Sequence, residues 1–231
     1  MKEKIVGILG GMGPEATVDI FQKILKATPA KCDQDHLRII IDCNSKIPDR
    51  TESILHNGKD PFPFLQESAQ LLEKAGADFI VIPCNAAHYW HGKIQRCVGI
   101  PVLHIMKAAA DYTADKLPEV RNIGLLAASS TIKVGLYQNA FAKKDIETIA
   151  PDQEFQDKVM EAIYGVKAGR TDIDLKRLVV DAGEHLAARG AQAVAAGCTE
   201  IPLILNDGDL SIPVIDSTLA LVIQAVKMAK G

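Results

Sequence analysis

The sequence predicts an α/β protein made of two pseudosymmetric, doubly wound parallel-sheet domains with an active site in the cleft between them. Three observations carry this expectation. Short apolar runs of strand length alternate with helical stretches, the pattern of a parallel sheet with helices on both faces. The alternation then starts again. Val6-Gly7-Ile8-Leu9 matches Ile123-Gly124-Leu125-Leu126 at an offset of 117, Cys84 matches Cys198 at 114, and Ile100-Pro101-Val102 matches Ile212-Pro213-Val214 at 112. Finally, 231 residues are enough for two domains of about 100 to 120 residues each. The expected division is 1–108 plus 211–231 for the first domain and 109–210 for the second, with the closing helix crossing back.

Taken in order, Lys4 to Leu9 reads as a buried parallel strand. It ends in Gly10-Gly11-Met12-Gly13-Pro14, and Glu15 to Leu25 follows as a helix with Pro14 near its start. Leu37 to Ile41 is a second strand and Lys46 to Thr51 a loop. Pro61 to Ala75 is a helix ending at Gly76, and Phe79 to Ile82 is the strand that leads to Cys84. His88 to Cys97 reads as helical and Pro101 to Ile105 as a short strand. In the second half Asn122 to Leu126 is a strand, followed by Ala127 to Thr131 as a loop. Helices are expected over Val134 to Lys143, Glu154 to Lys167 and Leu175 to Ala188. Ala193 to Ala196 is the strand that leads to Cys198, Pro213 to Asp216 is the last strand, and Thr218 to Lys230 the closing helix.

Bulk properties exclude several classes. The formal net charge is −3, with no basic stripe to follow a phosphate backbone, so nucleic acid is not an expected partner. No apolar stretch reaches the ~18 residues that span a bilayer, and Met1-Lys2-Glu3-Lys4 does not resemble a signal peptide. A cytoplasmic protein is expected. Its five cysteines, 32, 43, 84, 97 and 198, show no C-x-x-C spacing, so they read as free thiols rather than as a disulfide frame or a metal site.

Cys84 and Cys198 stand apart from the other three. Each follows a strand-length apolar run introduced by Gly-Ala, Gly76-Ala77 or Gly190-Ala191, and each is followed by small polar residues. Ligands of open α/β sheets bind beyond the carboxyl ends of the strands. Two thiols on opposite sides of a substrate suit inversion at carbon: one removes a proton from one face and the other delivers a proton to the opposite face. A thiol ionises near pH ~8.5 and neighbouring groups tune it, so thiol and thiolate coexist near neutrality. The carbanion beside a carboxylate needs preorganised donors. Asn85, Ala86, Thr199 and the adjoining loop amides are candidates. His88, four residues after Cys84, and Glu200, two after Cys198, are the auxiliary acid/base candidates. Thr131 lies in the repeat-equivalent of the glycine loop, where it is either a carboxylate binder or an N-cap.

Gly10-Gly11-Met12-Gly13-Pro14-Glu15-Ala16-Thr17, Pro83-Cys84-Asn85-Ala86-Ala87-His88 and Gly197-Cys198-Thr199-Glu200 together resemble the aspartate racemase branch of the aspartate/glutamate racemase superfamily, in the family's order and over nearly the whole chain. The resemblance implies the two-domain fold, cofactor-independent racemisation by the cysteine pair, no metal, a small acidic amino acid as substrate, and a homodimer. It also implies that Arg50 and Lys167 bind the substrate carboxylates, with Met12 in the substrate-binding loop. Arg50 suits this because its planar fork holds both oxygens. The glycine loop and the Gly-Cys-Thr-Glu at the second cysteine differ from glutamate racemases proper, which carry an Asp-Ser-Gly-like loop and Gly-Cys-Thr-His. Aspartate leads as substrate. A broad-specificity or glutamate racemase, an isomerase or decarboxylase of a small dicarboxylate, and a non-catalytic small-acid binding module are the alternatives. A dinucleotide turn with Asp42 as ribose acid is disfavoured, because the glycine spacing differs from G-x-G-x-x-G and Pro14 removes an amide at the helix start.

Overall fold

The computed structural model describes residues 3–231. Its first unit runs up to Ile105 and takes back Thr218–Gly231 at the end, and its second is Met106–Ser217. The first unit holds β1 (Val6–Gly10), α1 (Pro14–Ala27), β2 (Ile39–Cys43), α2 (Arg50–His56), α3 (Phe62–Lys74), β3 (Phe79–Val81) and α4 (His91–Gln95). The chain leaves it at the start of α5 (Ile105–Lys116). It continues through β4 (Asn122–Leu126), α6 (Ser129–Lys133), α7 (Leu136–Ala142), β5 (Glu147–Ile149), α8 (Gln153–Lys167), α9 (Ile173–Ala188), β6 (Ala193–Ala196) and β7 (Val214–Asp216), and returns in α10 (Ser217–Lys230). Among the described residues no helix is long and apolar enough to cross a membrane.

Both sheets are parallel. The first has the order β2-β1-β3 and the second β5-β4-β6-β7. An isolated parallel bridge between Ile80 and Val102 adds the counterpart of β7 to the first sheet. The repeat reappears as hydrogen bonds. Ile80 N donates to Pro101 O at 2.8 Å and Val194 N to Pro213 O at 2.9 Å, while Asp78 N donates to Ile5 O at 2.8 Å and Gln192 N to Asn122 O at 2.9 Å. The glycine that ends each preceding helix is left-handed, φ +95° at Gly76 and +94° at Gly190. Beyond it Ala77 N returns to Leu72 O and Ala191 N to Leu186 O, both 3.1 Å, which satisfies the last carbonyls of the helix.

The interior strands β1, β3, β4 and β6 read as apolar runs because helices cover both faces, and every residue of β1, β3 and β6 is buried. Gly7 lets the segment just after α3 lie close, and Gly124 does the same for α9. A Cβ on Gly7 would stand 2.9 Å from Ala77 Cβ, and one on Gly124 2.9 Å from Leu186 Cδ1.

Several sequence expectations are corrected. Residues 211–217 belong to the second unit, because β7 is hydrogen-bonded to β6, and so do residues 106–108. Pro101 to Ile105 is not a strand: only Val102 pairs, and Ile105 opens α5. The loop over Lys46 to Thr51 stops at Asp49, whose side chain accepts from Glu52 N at 2.9 Å and caps α2. The helix expected from Val134 begins at Leu136, after Gly135 with φ +71°, and a separate short helix, Ser129–Lys133, precedes it, so Thr131 lies in a helix rather than a loop. The helical stretch expected over His88 to Cys97 is present, as a 3₁₀ turn, Ala86–Trp90, followed by α4.

Candidate active site

In each sheet the chain crosses from one side of a central strand to the other. The orders β2-β1-β3 and β5-β4-β6 put that switch between β1 and β3, and between β4 and β6. Crevices form beyond the carboxyl ends of strands at such points. Beyond β1 and β3 lie the glycine loop and Cys84. Beyond β4 and β6 lie the Ala127–Thr131 segment and Cys198. Each sheet thus carries one cysteine at its own switch point.

In the first unit, Thr17 of α1 holds the glycine loop. Its Oγ1 accepts from Gly11 N at 2.8 Å and donates to Gly13 O at 3.1 Å. Gly11 has φ +89°, and a Cβ there would run into the backbone of Asn44. Arg50, buried in the first turn of α2, spans two strand-end loops. Its Nη1 donates to Ile47 O at 3.2 Å and Pro48 O at 2.9 Å, and its Nη2 to Met12 O at 3.4 Å. Met12 meets the site through that carbonyl, since its side chain is buried in the apolar cluster with Leu9, Ile47 and Cys84.

Cys84 is 5% exposed, and its amide donates to Ile82 O at 2.8 Å in a tight turn. Asn85 and Ala86 are buried at the start of the 3₁₀ turn, and Asn85 O accepts from His88 N at 3.0 Å. Both ring nitrogens of His88 face backbone groups rather than the Cys84 sulfur. Its Nε2 accepts from Ile105 N at 3.1 Å, so the proton sits on Nδ1, which donates to Cys84 O at 2.9 Å. Burial, with His104 and His91 nearby, pushes its pKa down to about 3, and both ring nitrogens are committed to backbone. The rings of His88, His91 and His104 pack with centroids 4.6 to 5.8 Å apart. Among the described residues, however, no group of three or more His, Cys, Asp or Glu is arranged to hold a metal ion.

In the second unit, Cys198 is 8% exposed and Glu200 2%. The Cys198 thiol donates to Glu200 Oε2 at 2.9 Å, and Thr199 Oγ1 donates to the same oxygen at 3.3 Å. Glu200 Oε1 is buried with no partner among the described residues. Burial and then the Glu200 charge push the Cys198 thiol well up, while Lys167 acts in the opposite sense. Lys167 ends α8 with its Nζ 5.3 Å from the centroid of the Tyr164 ring. Thr131 Oγ1 is buried with no partner among the described residues.

One residue of this site was not legible in the sequence. Gln156, in the first turns of α8, sends Nε2 to Ala127 O and Ser129 Oγ, both 3.0 Å, and so fastens the end of β4 to the helix that carries Lys167. The available signal was a polar residue on the buried stripe Gln156, Val159, Ile163 and Val166.

Comparison with known proteins places the fold in a family. The Asp/Glu/Hydantoin racemase family model matches residues 9–225. The chain is 27% identical over 226 residues to the broad specificity amino-acid racemase RacX of Bacillus subtilis (strain 168), covering 94% of each chain. Among solved structures, it resembles the aspartate racemase of Picrophilus torridus at 33% identity and TM-score 0.82, over 97% of this chain and 94% of that one. It also resembles an aspartate racemase homologue from Pyrococcus horikoshii OT3 at 25% identity and TM-score 0.78, over 99% and 100%. The two parallel sheets match the fold of amino-acid racemases, and the chain belongs to the Asp/Glu/hydantoin racemase family.

Proposed function

We propose that the protein racemises an acidic amino acid, aspartate first, by a cofactor-independent mechanism in which Cys84 and Cys198 act on opposite faces of the α-carbon. The observation that carries this reading is the Cys198 thiol donating to the Glu200 carboxylate at 2.9 Å, which holds the sulfur protonated beside a group able to take that proton. In one direction Cys84, as thiolate, removes the α-proton and the Cys198 thiol delivers its own to the other face. The Cα–H bond is remade with inverted configuration, Cys84 is left as thiol and Cys198 as thiolate. The reverse direction exchanges these roles: Cys198, as thiolate, removes the α-proton and the Cys84 thiol delivers its own, while the buried Glu200 carboxylate accepts the Cys198 hydrogen bond whenever that sulfur is protonated. Arg50 and Lys167 hold the substrate carboxylates, and Met12 O, Asn85, Ala86, Thr131 and Thr199 orient the amino acid. Positive charge and fixed donors favour the carbanion, which carries one more negative charge than the bound substrate.

The test is incubation of cofactor-free enzyme with L-aspartate in deuterated water. D-aspartate carrying α-deuterium is expected. Its absence for every acidic amino acid tried would contradict the reading. A broader substrate range is the second reading, favoured by the likeness to a broad specificity racemase; turnover of neutral amino acids at rates comparable to aspartate would select it. We also infer a cytoplasmic homodimer on the family resemblance, tested by light scattering of the purified protein.

A further inference from the structure

The chain crosses between its two units twice, after Ile105 and after Ser217. These residues open α5 and α10 and stand at equivalent places in the repeat, at the offset that relates Pro101 to Pro213. Each is gripped by a buried side chain that also touches its unit's cysteine loop. In the first unit His88 Nε2 accepts from Ile105 N at 3.1 Å while Nδ1 donates to Cys84 O at 2.9 Å. In the second, Tyr137, fully buried on α7, donates from its hydroxyl to Ser217 Oγ at 2.6 Å. Its ring lies against Gly197, the residue before Cys198: a Cβ on Gly197 would stand 2.9 Å from Tyr137 Cε2. Phe141 stacks on the same ring with centroids 5.9 Å apart, so the ring acts as a stiff strut. The gripped positions are repeat-equivalent but the grips are not, because one comes from the turn after β3 and the other from the helix after β4.

We infer that His88 and Tyr137 are positioning residues that lock each cysteine loop to the crossover of its own unit, so that the thiol's place and the place where the chain leaves the unit are set together. This rests on the two-thiol reading above. A side chain that only filled space would not need a polar atom on the crossover residue. A buried hydrogen bond of this kind couples two backbone segments with a strength of about 2- to 10-fold in a local opening equilibrium.

The test cuts the crossover end of each grip and reads the cysteine end. His88→Asn retains a donor for Cys84 O and loses the acceptor for Ile105. Tyr137→Phe retains the ring and loses the hydroxyl, and Ser217→Ala cuts the same bond without touching the ring. Alkylation of each cysteine by iodoacetamide is followed by peptide mass spectrometry on folded protein, with hydrogen exchange at the starts of α5 and α10 confirming the cut. His88→Asn is expected to raise the Cys84 rate about 2- to 10-fold and leave Cys198 unchanged. Tyr137→Phe and Ser217→Ala are expected to raise Cys198 by the same factor and leave Cys84 unchanged. Racemisation should lose kcat with KM held. Equal changes at both cysteines, or none at either, would overturn the coupling even if wild-type enzyme racemises aspartate. The expected alkylation pattern in a protein that exchanges no α-proton would instead leave the coupling standing and remove the racemase mechanism.

Discussion

Replacing Glu200 by Gln keeps the size of the side chain and removes its charge. In the native site the carboxylate accepts the Cys198 thiol proton at 2.9 Å. It also stands as a like charge beside any thiolate, and both effects favour the thiol. Burial is the larger cause of the upward push on Cys198 and survives the substitution, while the Glu200 contribution does not. A hydrogen bond to a charged group is worth about 1.5–3 kcal/mol, or about 10- to 150-fold in the thiolate population at a given pH. The sign follows from the raised pKa: thiolate accumulates only as pH rises, and removing Glu200 brings that rise to lower pH. The assay is the pH dependence of Cys198 alkylation, with Cys84 in the same sample as internal control. E200Q should alkylate Cys198 about 10- to 150-fold faster at neutral pH, with the Cys84 rate unchanged. The substitution also removes the carboxylate that orients the Cys198 thiol, so racemisation should slow. It should slow equally from L and D substrate in kcat/KM, because the two are mirror images with an equilibrium constant of one. An unchanged or slower Cys198 alkylation in E200Q would refute the assignment of the thiol proton to this carboxylate.

Three further outcomes are expected. Lys167→Met removes the influence that opposes the upward push on Cys198, so Cys198 alkylation at fixed pH slows, and KM for aspartate rises about 10- to 100-fold through loss of a charged partner; unchanged KM would remove Lys167 from the substrate site. His88 is neutral in the fold with a pKa of about 3 and ionises near 6.5 when unfolded, so its contribution to stability is complete above pH ~6.5 and is lost as pH falls towards 3. At pH 5 the loss is on the order of 2 kcal/mol, a Tm drop of roughly 4–8 °C relative to pH 7, which H88N should flatten in a thermal melt. Gly124→Ala places a Cβ 2.9 Å from Leu186 Cδ1 and 3.0 Å from Leu186 Cβ. It should cost about 1–3 kcal/mol, and an unaltered Tm would mean that α9 shifts freely on β4.

The sequence was most legible where burial is one-dimensional. β1, β3, β4 and β6 are covered on both faces and appear as uninterrupted apolar runs. β5 was not found, because Glu147-Thr148-Ile149 is a partly exposed edge strand and carries no such run. α5 was hidden because Val102-Leu103-His104-Ile105 resembles a strand, while only Val102 is paired and the helix begins at Ile105. In the site, the Cys198–Glu200 contact was readable from a spacing of two residues. The likeness of His88 to a helical partner of Cys84 misled: the segment is a 3₁₀ turn, and the ring reaches the Cys84 carbonyl rather than its sulfur. Gln156 and Tyr137 bond to groups 27 to 80 residues away. Only the fold brings those groups within reach, and the one local sign is the polar Gln156 on an otherwise apolar buried stripe.

The central claim is that two thiols serve two faces of one carbon, and isomer-specific proton exchange in the single-cysteine variants tests it most directly. Cys84→Ser and Cys198→Ser are each incubated with L- and with D-aspartate in deuterated water, and α-deuterium and chirality are read together. Both variants should lose racemisation. Each should still exchange the α-proton of one isomer only, and that isomer should be opposite in the two variants. Full racemisation in either variant, or exchange of the same isomer in both, would contradict the account.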